Sequence, residues 1–385
     1  MPPPSGGYVW TDRFLDYDFG PNHPFTQRSR RLAVRLLQAV LAESPTHEVE
    51  FRNEVPVAPW EYLTTFHKTE YLEQISRASN SEYPGFLDQG DTPGFPGCFE
   101  AAARIVAGAA WAVETTLRTS RPTFHPAGGL HHAHPDRASG FCIFNDLALA
   151  IVEAARAGRR VAYIDIDAHH GDGVMYGLYD SGAVLDIDFH QDGRTLFPGT
   201  GFPEETGRGD GSGLKVNVPL PPGSGDETLL PLFFRLVPPL LRSFRPDLIV
   251  LQHGADGHVG DPLTQLRYTS RSYDAIDSLV LGLGHELCHS RVVVTGGGGY
   301  RPESVARVLA RAGIATLGFP LPGPDDPLPP AWREEFESEW GRPAPGTWLD
   351  APPRGSHSPP PAVGTKLVAA LEKSLGRSFP PVEPA

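Results

Sequence analysis

The chain has 385 residues, 40% of them hydrophobic, enough for a sizeable core; its formal net charge of -13 argues against strong binding to nucleic acid, which needs clustered Lys and Arg against phosphate. Its three cysteines have no CxxC spacing and leave an odd count, which argues against a disulfide framework or a structural zinc site. There is no basic-then-apolar leader and no apolar run of about 20 residues, so the expectation is a cytoplasmic protein that engages neither nucleic acid nor membrane, with an oligomeric state that is not legible.

In chain order, hydrophobic periodicity predicts helices over 28–42, 100–117, 145–157, 228–241 and 273–289. Apolar runs over 161–166, 248–251 and 292–294 read as buried strands, with 184–189 weaker because Asp186 and Asp188 interrupt it. Strands alternating with helices imply an α/β fold: three layers, α/β/α, around a mostly parallel central sheet. In such sheets the chemistry lies on loops after the strands' carboxyl ends. Prolines crowd the sequence from about Pro320 to Pro361, and only 366–375 reads as helix there. The expected division is a catalytic domain over 1–319 and a loop-rich extension over 320–385 packed on it.

Three polar clusters follow predicted strands. Asp165-Ile-Asp167-Ala-His169-His170-Gly-Asp172 leaves the 161 strand. Residues two apart on an extended segment face the same way, so Asp167 and His169 can grip one ion. Asp165 shares that parity but lies deeper, where a carboxylate is better placed to orient another group or bind a monovalent cation. Asp256, in Gln252-His-Gly-Ala-Asp256-Gly-His-Val-Gly-Asp261, is expected as the third ligand, although alone it reads equally as a cap or turn residue. Two carboxylates and one imidazole leave coordination positions open, as a catalytic site requires.

Gly296-Gly-Gly-Gly299-Tyr300 follows the 292 strand; its backbone can approach a ligand closely, and Tyr300 can donate to an oxyanion. Upstream, Pro126-Ala-Gly-Gly-Leu-His131-His132-Ala-His134 places paired imidazoles beside a glycine pair. An imidazole next to activated water suits a general base, and Asp165 and Asp172 are candidates to orient it.

Together these segments resemble the histone deacetylase superfamily, within it the bacterial acetoin-utilisation type, in order from about Tyr17 to Leu317. The other motifs that carry the likeness are Gly20-Pro-Asn-His-Pro, Gly140-Phe-Cys-Ile-Phe-Asn-Asp and Phe197-Pro-Gly-Thr-Gly. The resemblance implies an arginase-like fold and a zinc (Zn2+) or iron (Fe2+) ion on Asp167, His169 and Asp256. It implies His132 as general base and later acid, His131 as its electrostatic partner, Asp165 holding His131, Asp172 holding His132, and Tyr300 polarising the scissile carbonyl. It also assigns Gly140, Phe141 and Phe197 to an acyl-lysine tunnel, Asp91 to its rim, Arg28 to a place beneath the acetate pocket, and a structural potassium (K+) ion to oxygens around Asp165, Asp167, His169 and Phe189. Asp188 stands where eukaryotic relatives carry serine.

The implied activity is removal of acetyl or other acyl groups from lysine side chains of proteins or peptides. An acetylpolyamine deacetylase of the same superfamily is the nearest alternative; Leu263 occupies the position where one such group carries an acidic gatekeeper. A dinuclear arginase-like hydrolase would need more Asp and His ligands. A silent acyl-lysine reader would be expected to lack Tyr300.

Overall fold

Short runs of Val, Ile and Leu form strands that are buried on both faces, the signature of a parallel sheet. The computed structural model describes residues 6–43, 48–350 and 362–380. Its strands are β1 (Gly7–Val9), β2 (Glu50–Arg52), β3 (Thr123–His125), β4 (Val161–Asp165), β5 (Val184–Gln191), β6 (Lys215–Leu220), β7 (Leu248–Gln252) and β8 (Val292–Thr295). They pair in the order β2-β1-β3-β8-β7-β4-β5-β6, and every pairing is parallel.

Alternation along the strands builds the two outer layers. Val161 and Tyr163 of β4, with Leu248 and Val250 of β7, pack with Ala112, Leu147, Ile151 and Val174 from helices on one face. Ala162 and Ile164, with Ile249 and Leu251, join Leu32, Leu236, Ile276 and Leu309 from helices in the other cluster. The fold is therefore the expected three-layer α/β/α arrangement, and the described strands are all parallel. Burying each Val, Leu or Ile side chain among them contributes about 1.5–3 kcal/mol.

Strand β5 is stronger than its sequence suggests. Asp188 Oδ1 is 2.6 Å from His190 Nδ1, and Asp186 lies opposite Lys215 in register, whose Nζ donates to Val184 O at 2.7 Å, so both interrupting carboxylates lie inside the sheet near a cationic or imidazole side chain. Strands β1, β2, β3 and β6 are not among those the sequence predicts; three of them have only three residues, too few for a periodic signal.

Four adjacent strands, β3, β8, β7 and β4, end in register: His125 pairs with Thr295, Thr295 with Gln252, and Gln252 with Asp165. All four polar segments thus leave one edge of the sheet, where the strand order departs from chain order. Beyond residue 319, prolines that suggest a loop instead begin a helix, Pro330–Trp340; at a first helical turn proline loses no hydrogen bond. Trp332 and Phe336 from it are buried in the same cluster as Leu32, and Trp332 Nε1 donates to Leu32 O at 2.9 Å. The helix Ala362–Leu375 packs against the helix Asp226–Phe244 and β6.

Candidate active site

The loop after β4 turns back on itself because its carboxylates accept its own amides: Asp165 Oδ1 from Asp167 N at 2.9 Å and Asp167 Oδ1 from His169 N at 3.0 Å. Asp167 Oδ2 takes two further bonds, from Gln252 Nε2 (2.8 Å) and Gly298 N (2.7 Å). Asp256 Oδ1 accepts from Ala168 N at 2.8 Å, which ties the β7 loop to the β4 loop. These bonds bring donor atoms of Asp167, His169 and Asp256, all buried, to within 4.8 Å of one another.

The donor set fits a divalent cation. Burial and the neighbouring Asp167 push Asp256 up to about 7, the mark of excess buried negative charge that a cation relieves. A Cβ on Gly298 would sit 2.1 Å from Asp256 Oδ2, and one on Gly254 would sit 2.2 Å from Asp167 Oδ2, so glycine is required where the backbone closes around the ligands.

The histidine pair stands beside this triad. Asn145 caps the helix Asp146–Arg156 by accepting from Ala148 N, while its amide donates to His131 O and Ala133 O at 3.0 and 2.9 Å. Asp146 accepts from Gly129 N and Leu130 N. A helix N-terminus therefore holds the histidine loop. His131 Nδ1 is 2.8 Å from Asp165 Oδ2, His132 Nδ1 is 2.7 Å from Asp172 Oδ1, and the two Nε2 atoms are 3.1 Å apart. His134 Nε2 takes the second oxygen of Asp172 at 2.9 Å.

The two imidazoles differ in charge. Burial works against the cation of His131, but Asp165 and Asp167 outweigh it and raise that group to about 10. Burial and the charge on His131 lower His132 to about 4, against the pull of Asp172. These shifts favour a cationic His131 and a neutral His132, whose Nδ1–H is directed to Asp172 and whose Nε2 faces Nε2 of His131 at 3.1 Å.

Tyr300 is half-buried, its backbone N donating to Asp261 Oδ2 at 2.9 Å. Burial, then the carboxylates of Asp256, Asp167 and Asp261, push its phenol well above the usual range, so it remains a proton donor. Its ring meets that of Phe141 edge-on at 5.8 Å and that of His169 at 6.3 Å; Phe197 lies 5.1 Å from His132. These rings form an aromatic cluster around His132 and His169. Gly140 lets it close: a Cβ there would meet His132 Cδ2 at 2.4 Å and Phe197 Cε1 at 2.9 Å. Asp91 lines a cavity with Phe197 and Asp172. Leu263 is 39% exposed, its N donating to Asp261 Oδ1.

Arg28, expected beneath the acetate pocket, is 58% exposed, faces Glu339 at 3.5 Å and lines an open cavity with Gly299 and Tyr300. Arg30 is the buried arginine, donating to Gly297 O at 2.5 Å and Gly299 O at 3.3 Å beneath the glycine run. Residues two apart on a helix lie about 200° apart around it, so one of the pair must face away. Sequence reasoning also assigned no role to Gln252, Asp146, Asn145, Asp261 or His134. Gln252 ends β7 in register with Asp165, a position that strand parity alone marks as site-facing.

Comparison with known proteins agrees with this geometry. The histone deacetylase domain model matches residues 23–314. The acetoin utilization protein AcuC of Bacillus subtilis is 35% identical over 355 residues, covering 89% of each chain. AcuC of Staphylococcus aureus strain Mu50 is 37% identical over 314 residues, 79% of each. A crystal structure of the HDA15 HD domain superposes with a TM-score of 0.72 at 27% identity, covering 81% of this chain and 90% of that one.

Proposed function

This chain belongs to the histone deacetylase family, as an AcuC-like member with metal-dependent deacetylase chemistry, and from that premise we propose that it hydrolyses acyl-lysine side chains of proteins. The observation that carries the proposal is the clustering of the Asp167, His169 and Asp256 donor atoms within 4.8 Å of one another beside the His131–His132 pair, with Phe141, Phe197 and Tyr300 around them.

Hydrolysis breaks the amide C–N bond, adds a water oxygen to the carbonyl carbon and sends a proton to the departing amine. Asp167, His169 and Asp256 would hold zinc, or iron(II), which when bound supplies Lewis-acid polarisation and acidifies water. His132 takes the proton of the attacking water and returns it to the amine nitrogen. Asp172 fixes the Nδ1–H tautomer of His132, and the cation of His131 adds positive potential where negative charge develops. Tyr300 donates to the carbonyl oxygen. The slot between Phe141 and Phe197 suits four thin methylenes whose burial leaves the peptide at the mouth beside Asp91. A potassium ion among the oxygens around Asp165, Asp167, His169 and Phe189 belongs to the same proposal, although Asp188 already pairs there with His190 and Gly171 N. Three free, buried cysteines suit a reducing, cytoplasmic setting.

Leu263 favours lysine over a polyamine, whose second ammonium would meet an apolar side chain. An acetyl-lysine peptide is therefore expected to be turned over with a higher kcat/KM than acetylspermidine; a preference of about ten-fold for the polyamine, worth about 1.4 kcal/mol, would replace the substrate assignment. Elemental analysis is expected to return a single catalytic transition metal per chain. Two would favour a dinuclear hydrolase instead.

A further inference from the structure

Asp350 lies past the helix Pro330–Trp340, remote in sequence from the catalytic motifs, yet only 24% of its side chain is exposed. Its Oδ2 is 2.7 Å from His258 Nε2 and 3.4 Å from Ser270 Oγ, and its Oδ1 accepts from the Arg307 guanidinium. His258 and Arg307 are both buried. Arg307 is itself aimed by Nε donating to Glu303 O at 3.0 Å.

The two partners lead to different halves of the active site. His258 sits in the loop after β7, between the metal ligand Asp256 and Asp261, the carboxylate that accepts from Tyr300 N. Arg307 sits on the helix Pro302–Thr316, which begins two residues after Tyr300. That loop is also tied directly to its neighbours, with Ala255 N donating to Gly298 O at 2.8 Å, Tyr300 N to Asp261 Oδ2 at 2.9 Å and Ala168 N to Asp256 Oδ1 at 2.8 Å, while His258 N and Val259 N bond within the loop and its continuation. One carboxylate from the C-terminal segment thus spans the loop that carries the ligand and the helix that follows the phenol.

We propose that Asp350 is a positioning residue that sets the spacing between Asp256 and Tyr300, so that the C-terminal segment completes the active site. A charge-assisted bond at both oxygens resists rotation of the carboxylate, and a buried arginine left without it would have to move. Either movement shifts the β7 loop against the Tyr300 helix. A displacement of about 1 Å between reacting groups costs up to about 10²-fold in rate. A merely structural anchor would affect thermal stability and leave the chemistry of the folded fraction intact.

The inference rests on the metal-dependent deacylase reading, and the experiment separates the two. In the full chain, Asp350→Asn is expected to lower kcat on an acetyl-lysine peptide by about 10- to 100-fold with KM changed by less than about twofold, and to weaken zinc affinity, measured by chelator competition, in the same direction. Asp350→Glu should restore part of both. Wild-type kcat and zinc affinity in folded Asp350→Asn, whatever its Tm, would overturn the proposal. If Asp350→Asn does not fold, Arg307→Lys carries the test: a smaller fall in kcat at constant KM supports it, and unchanged kcat and zinc affinity overturn it. Wild-type protein that binds no zinc, or cleaves no acyl substrate, overturns the deacylase reading instead.

Discussion

Tyr300→Phe is expected to lower kcat by about 10²- to 10³-fold while leaving zinc uptake and peptide affinity near wild type. The substitution removes one oxygen and keeps the ring, so the edge-on contacts with Phe141 and His169 persist and the slot retains its shape. The backbone bond to Asp261 is untouched. What is lost is a donor whose proton is retained because burial and three nearby carboxylates oppose the phenolate. That donor matters most when the carbonyl oxygen becomes an oxyanion, so the loss falls on kcat and spares binding. Single-turnover kinetics together with a peptide titration check it; undiminished turnover would remove Tyr300 from the mechanism.

His132→Gln is expected to cost about 10²- to 10⁴-fold in kcat, the range for loss of a positioned acid–base group. Glutamine can still bond Asp172, whose second oxygen stays on His134, so the loop is expected to hold. Because one imidazole both accepts the proton of water and protonates the amine, the deficit depends on the leaving group. An acyl aryl-amide, whose amine departs without full protonation, is expected to suffer less than an acyl-lysine peptide. Equal losses on both would confine His132 to the first proton transfer. The neutral state of His132 at pH 7 follows from its fall to about 4 by burial and the cation of His131, and that asymmetry is what distinguishes the base from its partner.

Much of this site is written in contiguous residues. Asp165, Asp167 and His169 occupy one extended segment, so parity alone indicates which side chains share a face, and the same holds for the strand β4 that precedes them. Carboxylates and imidazoles that cluster immediately after buried apolar runs are costly unless they hold something, which is why His131, His132, Asp256 and Tyr300 stand out without any knowledge of the fold. The helix Arg28–Ala42 is likewise legible from its period.

What depends on distant chain segments is not legible. Arg28 and Arg30 are equivalent as letters; the helix's rotation against the glycine run decides that Arg30 is buried and Arg28 paired with Glu339 at the surface. Strands of three residues such as β1 and β3 acquire their conformation from neighbours on either side, because so short a run has no stable hydrogen-bonding pattern of its own. Asp350 reads as one acidic residue among prolines until folding sets it against His258 and Arg307. The shared face of Asp167 and His169 and the pairing of His131 with His132 were therefore legible in the sequence itself, since adjacent side chains follow a fixed backbone period, whereas Asp256 and Tyr300 stood out as polar residues after separate buried strands. Which arginine lies beneath the site, and which carboxylate spans its two halves, was decided only by tertiary packing, which alone brings together residues that no local period relates.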